Sequence, residues 1–252
     1  YSTKFYGDRV GFIVYDKIKM SVGYLSINYK DDKKTTITTN PKKTTNTTNT
    51  TGSKTILFEG FNNNNNTWSE TNTSDVKLDI QNGDYIINHK RESGGWSTTI
   101  DKYINTSRDF RITAQIKKVS GIQNNGYGIT FGKKDNNNLN HFIITGDGSY
   151  KIIQYKNGTR TYIKNWTKSS HIKTGNGVYN YLKVQKVGSA YKFFINSNLV
   201  HTSYSIKLYG DSVGFTLALA IGNVPVQIGM LTSLSIGKGN QMKEEWKALP
   251  EN

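Results

Sequence analysis

Between Lys54 and Ile236 the chain is divided by turn-forming residues about every dozen positions, and the stretches between them alternate apolar with polar side chains. Asn82-Gly83 joins VKLDI to YIINH, while Gly146-Asp147-Gly148 and Asn157-Gly158 divide the run from His141 to Trp166. Glycine takes positive φ at no steric cost and asparagine tolerates it, so an Asn-Gly pair between alternating segments predicts a two-residue hairpin. ILFEGF (56–61), FRITAQIKKV (110–119), YGITFGKK (127–134), YLKVQKVGSAYKFFINSNLVHTSY (181–204) and VGFTLALAIG (213–222) carry the same alternation, and none sustains a 3.6-residue period. On such strands Phe193 and Ile195 face away from Lys192 and Phe194, and Leu182 and Val184 away from Lys183 and Gln185. The expected fold is therefore all-β, a two-sheet antiparallel sandwich over residues 55–237, long enough to enclose a core.

The chain also repeats itself. YSTKFYGDRVGF from Tyr1 returns as YSIKLYGDSVGF from Tyr204, identical at nine of twelve positions, and Gly23 to Ile27 echo Leu231 to Ile236. Solenoid repeats recur every 20 to 50 or so residues, so a domain-sized offset points to copies of a whole domain. Residues 1–27 are then expected to be the C-terminal strands of an upstream repeat. An isolated pair of strands is marginal in water, and these need a partner, either the rest of that repeat or a neighbouring chain. Residues 28–54, almost entirely Thr, Asn and Lys, read as an exposed linker. Residues 238–252 read as a C-terminal linker or the start of a next module.

Composition narrows the function classes. No run approaches the 18 apolar residues of a membrane span. Cysteine is absent, so disulfides and thiolate zinc sites are excluded, and His89, His141, His171 and His201 show no ligand spacing and read as surface or strand histidines. Of the formal charge of +15, residues 1–27 carry +2 and 28–54 carry +4, leaving +9 on 55–237. A nucleic-acid binder concentrates such charge on one face. Here it is spread along alternating strands, which argues against specific nucleic acid and for attraction to acidic polysaccharide or a cell surface.

From Phe58 to Gly214 the order of motifs resembles bacterial concanavalin A-like (laminin-G-like) jelly-roll domains of the lectin and glucanase group. The matching residues are FEGFNNNNNTW (58–68), Phe131, His141-Phe142, Gly146 to Tyr150, Trp166, Asn180 to Val184, and Gly210 to Gly214. One departure falls at Asn196-Ser197-Asn198, where an Asn-Gly turn is usual. The resemblance implies a core position for Trp166. It also implies that hydrolases must be considered, and retaining glycosidases need two carboxyls about 5 Å apart. No E-x-D-x-E pattern occurs; residues 55–237 hold Glu59, Glu70 and Glu92, and Asp79 and Asp84 bracket a turn, so no catalysis is expected. Relatives bind glycans through loops and a concave sheet, with aromatic rings against sugar faces and amides toward hydroxyls. The candidates here are Trp96, Tyr155, Tyr162, Asn136 and Asn138. Some relatives hold calcium, but Asp135 to Asn138 and Gly146 to Gly148 make no ligand set, and no cofactor is expected. The expectation is a non-catalytic binding or adhesion module of a larger, secreted or cell-surface protein, contacting glycan or a protein surface. The alternative is a structural spacer of tandem β-sandwiches.

Overall fold

The computed structural model describes residues 20–30, 53–101, 104–218 and 227–233. The first copy of the YGD-x-VGF motif and residues 238–252 lie outside them. Among the described residues every regular element is a strand, in chain order β1 (Met20–Lys30), β2 (Ser53–Glu59), β3 (Thr71–Asn72), β4 (Val76–Gln81), β5 (Asp84–His89), β6 (Gly95–Ile100), β7 (Phe110–Ser120) and β8 (Gly126–Asp135). There follow β9 (Asn138–Thr145), β10 (Ser149–Lys156), β11 (Thr159–Lys168), β12 (Tyr179–Val187), β13 (Ala190–Ile195), β14 (Asn198–Ser203), β15 (Ser212–Ala218) and β16 (Gln227–Ser233).

They form the expected antiparallel sandwich. One sheet runs β14-β13-β12-β7, next to which β16 and β1 each pair with β7 and with β2, and continues from β1 through β5, β4 and β3, and the other runs β11-β10-β9-β8-β15-β6. Both sheets put one row inward. Ile112, Ala114, Ile116, Leu182, Val184, Phe193 and Ile195 come from the first, and Tyr127, Ile129, Phe131, Phe142, Ile144, Ile152 and Phe215 from the second. Phe193 bridges the layers, its ring centroid 5.2 Å from Phe142 and 6.1 Å from Phe131. The alternation read on YLKVQKV and FFIN is present, with Phe194 on the outer surface under the Lys183 ammonium, 3.7 Å from its ring centroid.

A second aromatic cluster closes one end. Trp68 lies 5.2 Å from both Tyr85 and Phe215, and Phe61 stacks on Tyr85 at 5.4 Å. The loop that delivers Phe61 and Trp68 is organised by Glu59, whose buried carboxylate accepts from the Phe61 amide (2.9 Å), Asn66 Nδ2 (2.6 Å) and Trp68 Nε1 (3.2 Å). The FEGFNNNNNTW motif is thus a carboxylate-centred loop, and Glu59 belongs to the fold rather than to chemistry.

The hairpins follow turn chemistry. At Asn82-Gly83 and Asn157-Gly158 both residues have positive φ (54° and 74°, 49° and 77°), the signature of a type I′ turn. The third such turn is Asn196-Ser197, at 48° and 69°, so an exposed serine holds the conformation glycine favours. Trp166 departs from expectation: it lies on edge strand β11 with 42% of its surface exposed, because its row faces outward, and the Lys151 ammonium sits 4.3 Å over its ring.

A non-glycine residue in the left-handed region costs about 1–2 kcal/mol. Ser197→Gly is therefore expected to stabilise the domain by about 1 kcal/mol, read as a higher urea midpoint at unchanged slope. Glu59→Gln is expected to destabilise it by about 1–3 kcal/mol, since an amide cannot accept at both oxygens' positions and leaves a buried donor without an acceptor. An unchanged midpoint would rule out the carboxylate as the organiser of the 59–68 loop.

Candidate functional site

Once the six-stranded sheet turns Phe142, Ile144, Tyr150 and Ile152 inward, period two places Leu139, His141 and Ile143 of β9 and Lys151, Ile153 and Tyr155 of β10 on the opposite face. Cross-strand register carries this face across the sheet. Ser97, Thr216, Gly128, Ile143 and Lys151 form one lateral row, and Thr99, Gly214, Thr130, His141 and Ile153 the next. The side chains at the β6, β15 and β8 end of these rows are small. A trough of about 660 Å³ opens above them, bordered by the 91–95 loop on one side and by Lys151, Tyr155 and Arg160 on the other. Gly128 is required there, because a Cβ at that position would collide with the carbonyl oxygen of Phe142.

The polar groups are organised in pairs. Ser97 Oγ donates to Thr216 Oγ1 across β6 and β15 at 3.1 Å. His141 Nδ1 lies 3.0 Å from Thr130 Oγ1, and its ring meets Tyr155 edge-on at a centroid distance of 5.7 Å, which fixes the tyrosine's attitude over the trough. His141 is 8% exposed, and burial, followed by the charges of Lys151 and Lys133, lowers its pKa to about 3. It is a neutral ring at neutral pH. Lys151 is 9% exposed, and burial, followed by the neighbouring Arg160 charge, lowers its pKa to about 8. The guanidinium of Arg160 lies 4.9 Å over the Tyr162 ring. Arg91, at the opposite rim, pairs with Asp75 at 3.4 Å across an exposed gap.

Three of the five residues expected from sequence, Trp96, Tyr155 and Asn136, border this trough. Trp96 does so from the side: it pairs with Leu217 in the core-facing row and packs against the core. Tyr162 stands outside the lining on β11, 42% exposed, beside Arg160. Asn138 holds a turn together, giving its Nδ2 to Asp135 (3.0 Å) and accepting from the Asn157 amide (3.0 Å), so that the 135–138 turn is tied to the 157–158 turn. The two acidic turns weighed for calcium are likewise internally bonded. Asp135 accepts from the Asn137 amide at 2.8 Å, and Asp147 accepts from Thr145 and pairs with Lys168 at 3.3 Å. Sequence reasoning passed over Lys151, Arg160, Arg91 and His141. The alternation in SYKIIQYK already puts Lys151 and Tyr155 on one face, but which face meets solvent is set by the opposing sheet.

No protein-family model and no curated protein matches this chain. Among solved structures it is similar to the carbohydrate binding module CBM66 from Bacillus subtilis, at 16% identity over 67% of this chain and 90% of that one, with a TM-score of 0.47. It is also similar to the Emp47p carbohydrate recognition domain (11%, 68% and 87%, TM-score 0.49). A functionally unknown protein from Saccharomyces cerevisiae is a third neighbour (12%, 69% and 97%, TM-score 0.49). At these identities and scores the similarity carries nothing about what this chain binds. Its own strands and register define an antiparallel β-sandwich with a lined trough on one face.

His89 is fully buried as well, and burial, followed by the Arg91 charge, lowers its pKa to about 4. Both histidines are thus buried strand residues, His141 on the trough face. For each ring the unfolded chain takes up a proton near pH 6.5 while the folded chain resists it, so stability falls as pH drops from about 6.5 toward 4. The thermal midpoint is expected to be lower at pH 4.5 than at pH 7, and His141→Gln to narrow that gap. A gap unchanged by the substitution would exclude His141 as a source of the slope.

Proposed function

We propose that this domain is a non-catalytic binding module whose trough takes an acidic saccharide, a sugar chain bearing carboxylate or sulfate groups. One observation carries the reading: Lys151 and Arg160 flank Tyr155 at one wall, Arg91 stands at the other, and no carboxylate lies among the lining residues. Lys151 sits among the aliphatic side chains of its face with Trp166 under its ammonium, and no carboxylate pairs with it or with Arg160 among the described residues. Burial without a counter-charge leaves a cation that gains from an anion arriving, since charge-assisted hydrogen bonds are about twice as strong as neutral ones. Tyr155 supplies a ring for the apolar face of a pyranose, and Ser97, Thr216 and Asn136 supply hydroxyl and amide groups for sugar hydroxyls.

The carboxylates elsewhere favour binding over hydrolysis. Glu59 is enclosed in its loop, Asp79 pairs with Lys77 at 2.7 Å and Asp84 with Lys117 at 3.6 Å. A place within a larger secreted or surface-exposed protein, where such a module adheres to glycan, accords with the repeated strand motif and the Thr-rich segment.

Titration calorimetry with oligogalacturonate and with sulfated oligosaccharide, against neutral laminarin and xylan oligomers, tests this reading. Binding is expected for the acidic ligands. Lys151→Ala and Arg160→Ala are each expected to weaken it about tenfold or more, the scale of a lost charged hydrogen bond. Affinity is expected to fall between pH 7 and pH 9 as Lys151 loses its proton, and Lys151→Arg to remove that fall. Binding of neutral oligomers alone, or acidic binding indifferent to both alanine substitutions, would sink the proposal.

A further inference from the structure

The repeat noticed in the sequence has a counterpart in the sheet. Along β7, Lys117, Ile116, Ala114 and Thr113 stand opposite Ser21, Val22, Leu25 and Ser26 of β1. The same four residues stand opposite Gly229, Met230, Thr232 and Ser233 of β16. On β2, Glu59 and Phe58 pair with Leu25 and Ser26, and also with Thr232 and Ser233. The other edge of β7 is bonded to β12 from Tyr179 to Lys186. A strand residue has one bonding edge on each side, so β1 and β16 have one position between them. This slot lies within the sheet, between β7 and β2, and leaving it empty would strip partners from two rows of backbone groups. It must be filled, and the chain carries two strands that fit it.

Register refines the sequence match. By sequence Leu25-Ser26-Ile27 aligns with Leu234-Ser235-Ile236, whereas in the sheet Ser26 occupies the position of Ser233, two residues away from that alignment. A slip of two keeps every side chain on its own face, so either alignment suits the slot, whereas a slip of one would not.

We propose that the slot between β7 and β2 is a strand-exchange site, which accepts Met20–Lys30 in place of Gln227–Ser233, and that a second copy of this chain can supply that strand. Among the described residues two strands fit one such slot, and a second copy of this chain presents the same slot to the strand that is left over. Docking by strand addition draws its affinity from main-chain hydrogen bonds, and both strands already pair with β7 and β2 through them, β1 with one extra residue between Val22 and Leu25.

The absence of native cysteine makes the test direct. Phe58 is 61% exposed and is paired with both Ser26 and Ser233, so cysteines at these positions lie on adjacent strands, within disulfide reach. Full-length Phe58→Cys and differently tagged full-length Ser26→Cys are refolded together and oxidised, and a disulfide-linked heterodimer is expected. In a second experiment a labelled peptide of residues 20–30 is refolded with the full chain. Uptake is expected in the wild type, exclusion from the Phe58→Cys/Ser233→Cys chain locked by its disulfide, and recovery on reduction. Absence of the heterodimer overturns exchange between copies. Absence of peptide uptake, or uptake undiminished by the lock, overturns the shared slot.

Discussion

The inward burial of one side-chain row on each strand is the constraint from which the rest of the molecule follows. Phe193 against Phe131 and Phe142 joins the two layers, and each such aromatic side chain contributes about 1.5–3 kcal/mol by leaving water. Because strand side chains alternate, fixing that row leaves no freedom in the other. Phe142, Ile144 and Ile152 inward oblige His141, Ile143, Lys151, Ile153 and Tyr155 outward. The trough is the reverse side of the core, and no separate device is needed to assemble it.

The chemistry of that face comes from which residues occupy the outward rows. Small residues on β8, β15 and β6 leave space, while long cationic and aromatic ones on β10 and β11 stand beside it. Leu139, Ile143 and Ile153 are buried although they lie on the outer face. They keep water from Lys151 and His141, and so both groups titrate below their usual ranges. A buried cation with only an aromatic face beneath it is an incomplete arrangement, and an incoming anion completes it.

The contested position in the other sheet obeys the same backbone rules. Two strands that pair with the same residues of β7 and β2 and one opening between them make occupancy a competition, β16 running regularly from Gly229 to Ser233 where β1 takes an extra residue between Val22 and Leu25. The outcome depends on loop closure and on the concentration of other copies, since closing the intervening segment costs entropy that grows only slowly with its length.

Period-two alternation and turn residues determined, from the sequence alone, that the chain is a β-sandwich, which faces of the β12 and β13 strands are wet, and where the Asn-Gly hairpins fall. These are local properties, set by φ preferences and by the spacing of adjacent side chains. The internal match between residues 1–12 and 204–215 was legible too, though not that Met20–Lys30 and Gln227–Ser233 pair with the same residues of β7 and β2. Only the tertiary structure decided that Trp166 lies outside, that Trp96 leans on the core, that Asn138 ties two turns, and that Lys151 and Arg160 share a trough with Tyr155. Each depends on which strands become neighbours and which sheet covers which face, and burial against a distant strand leaves no mark on the residues that precede or follow in the chain.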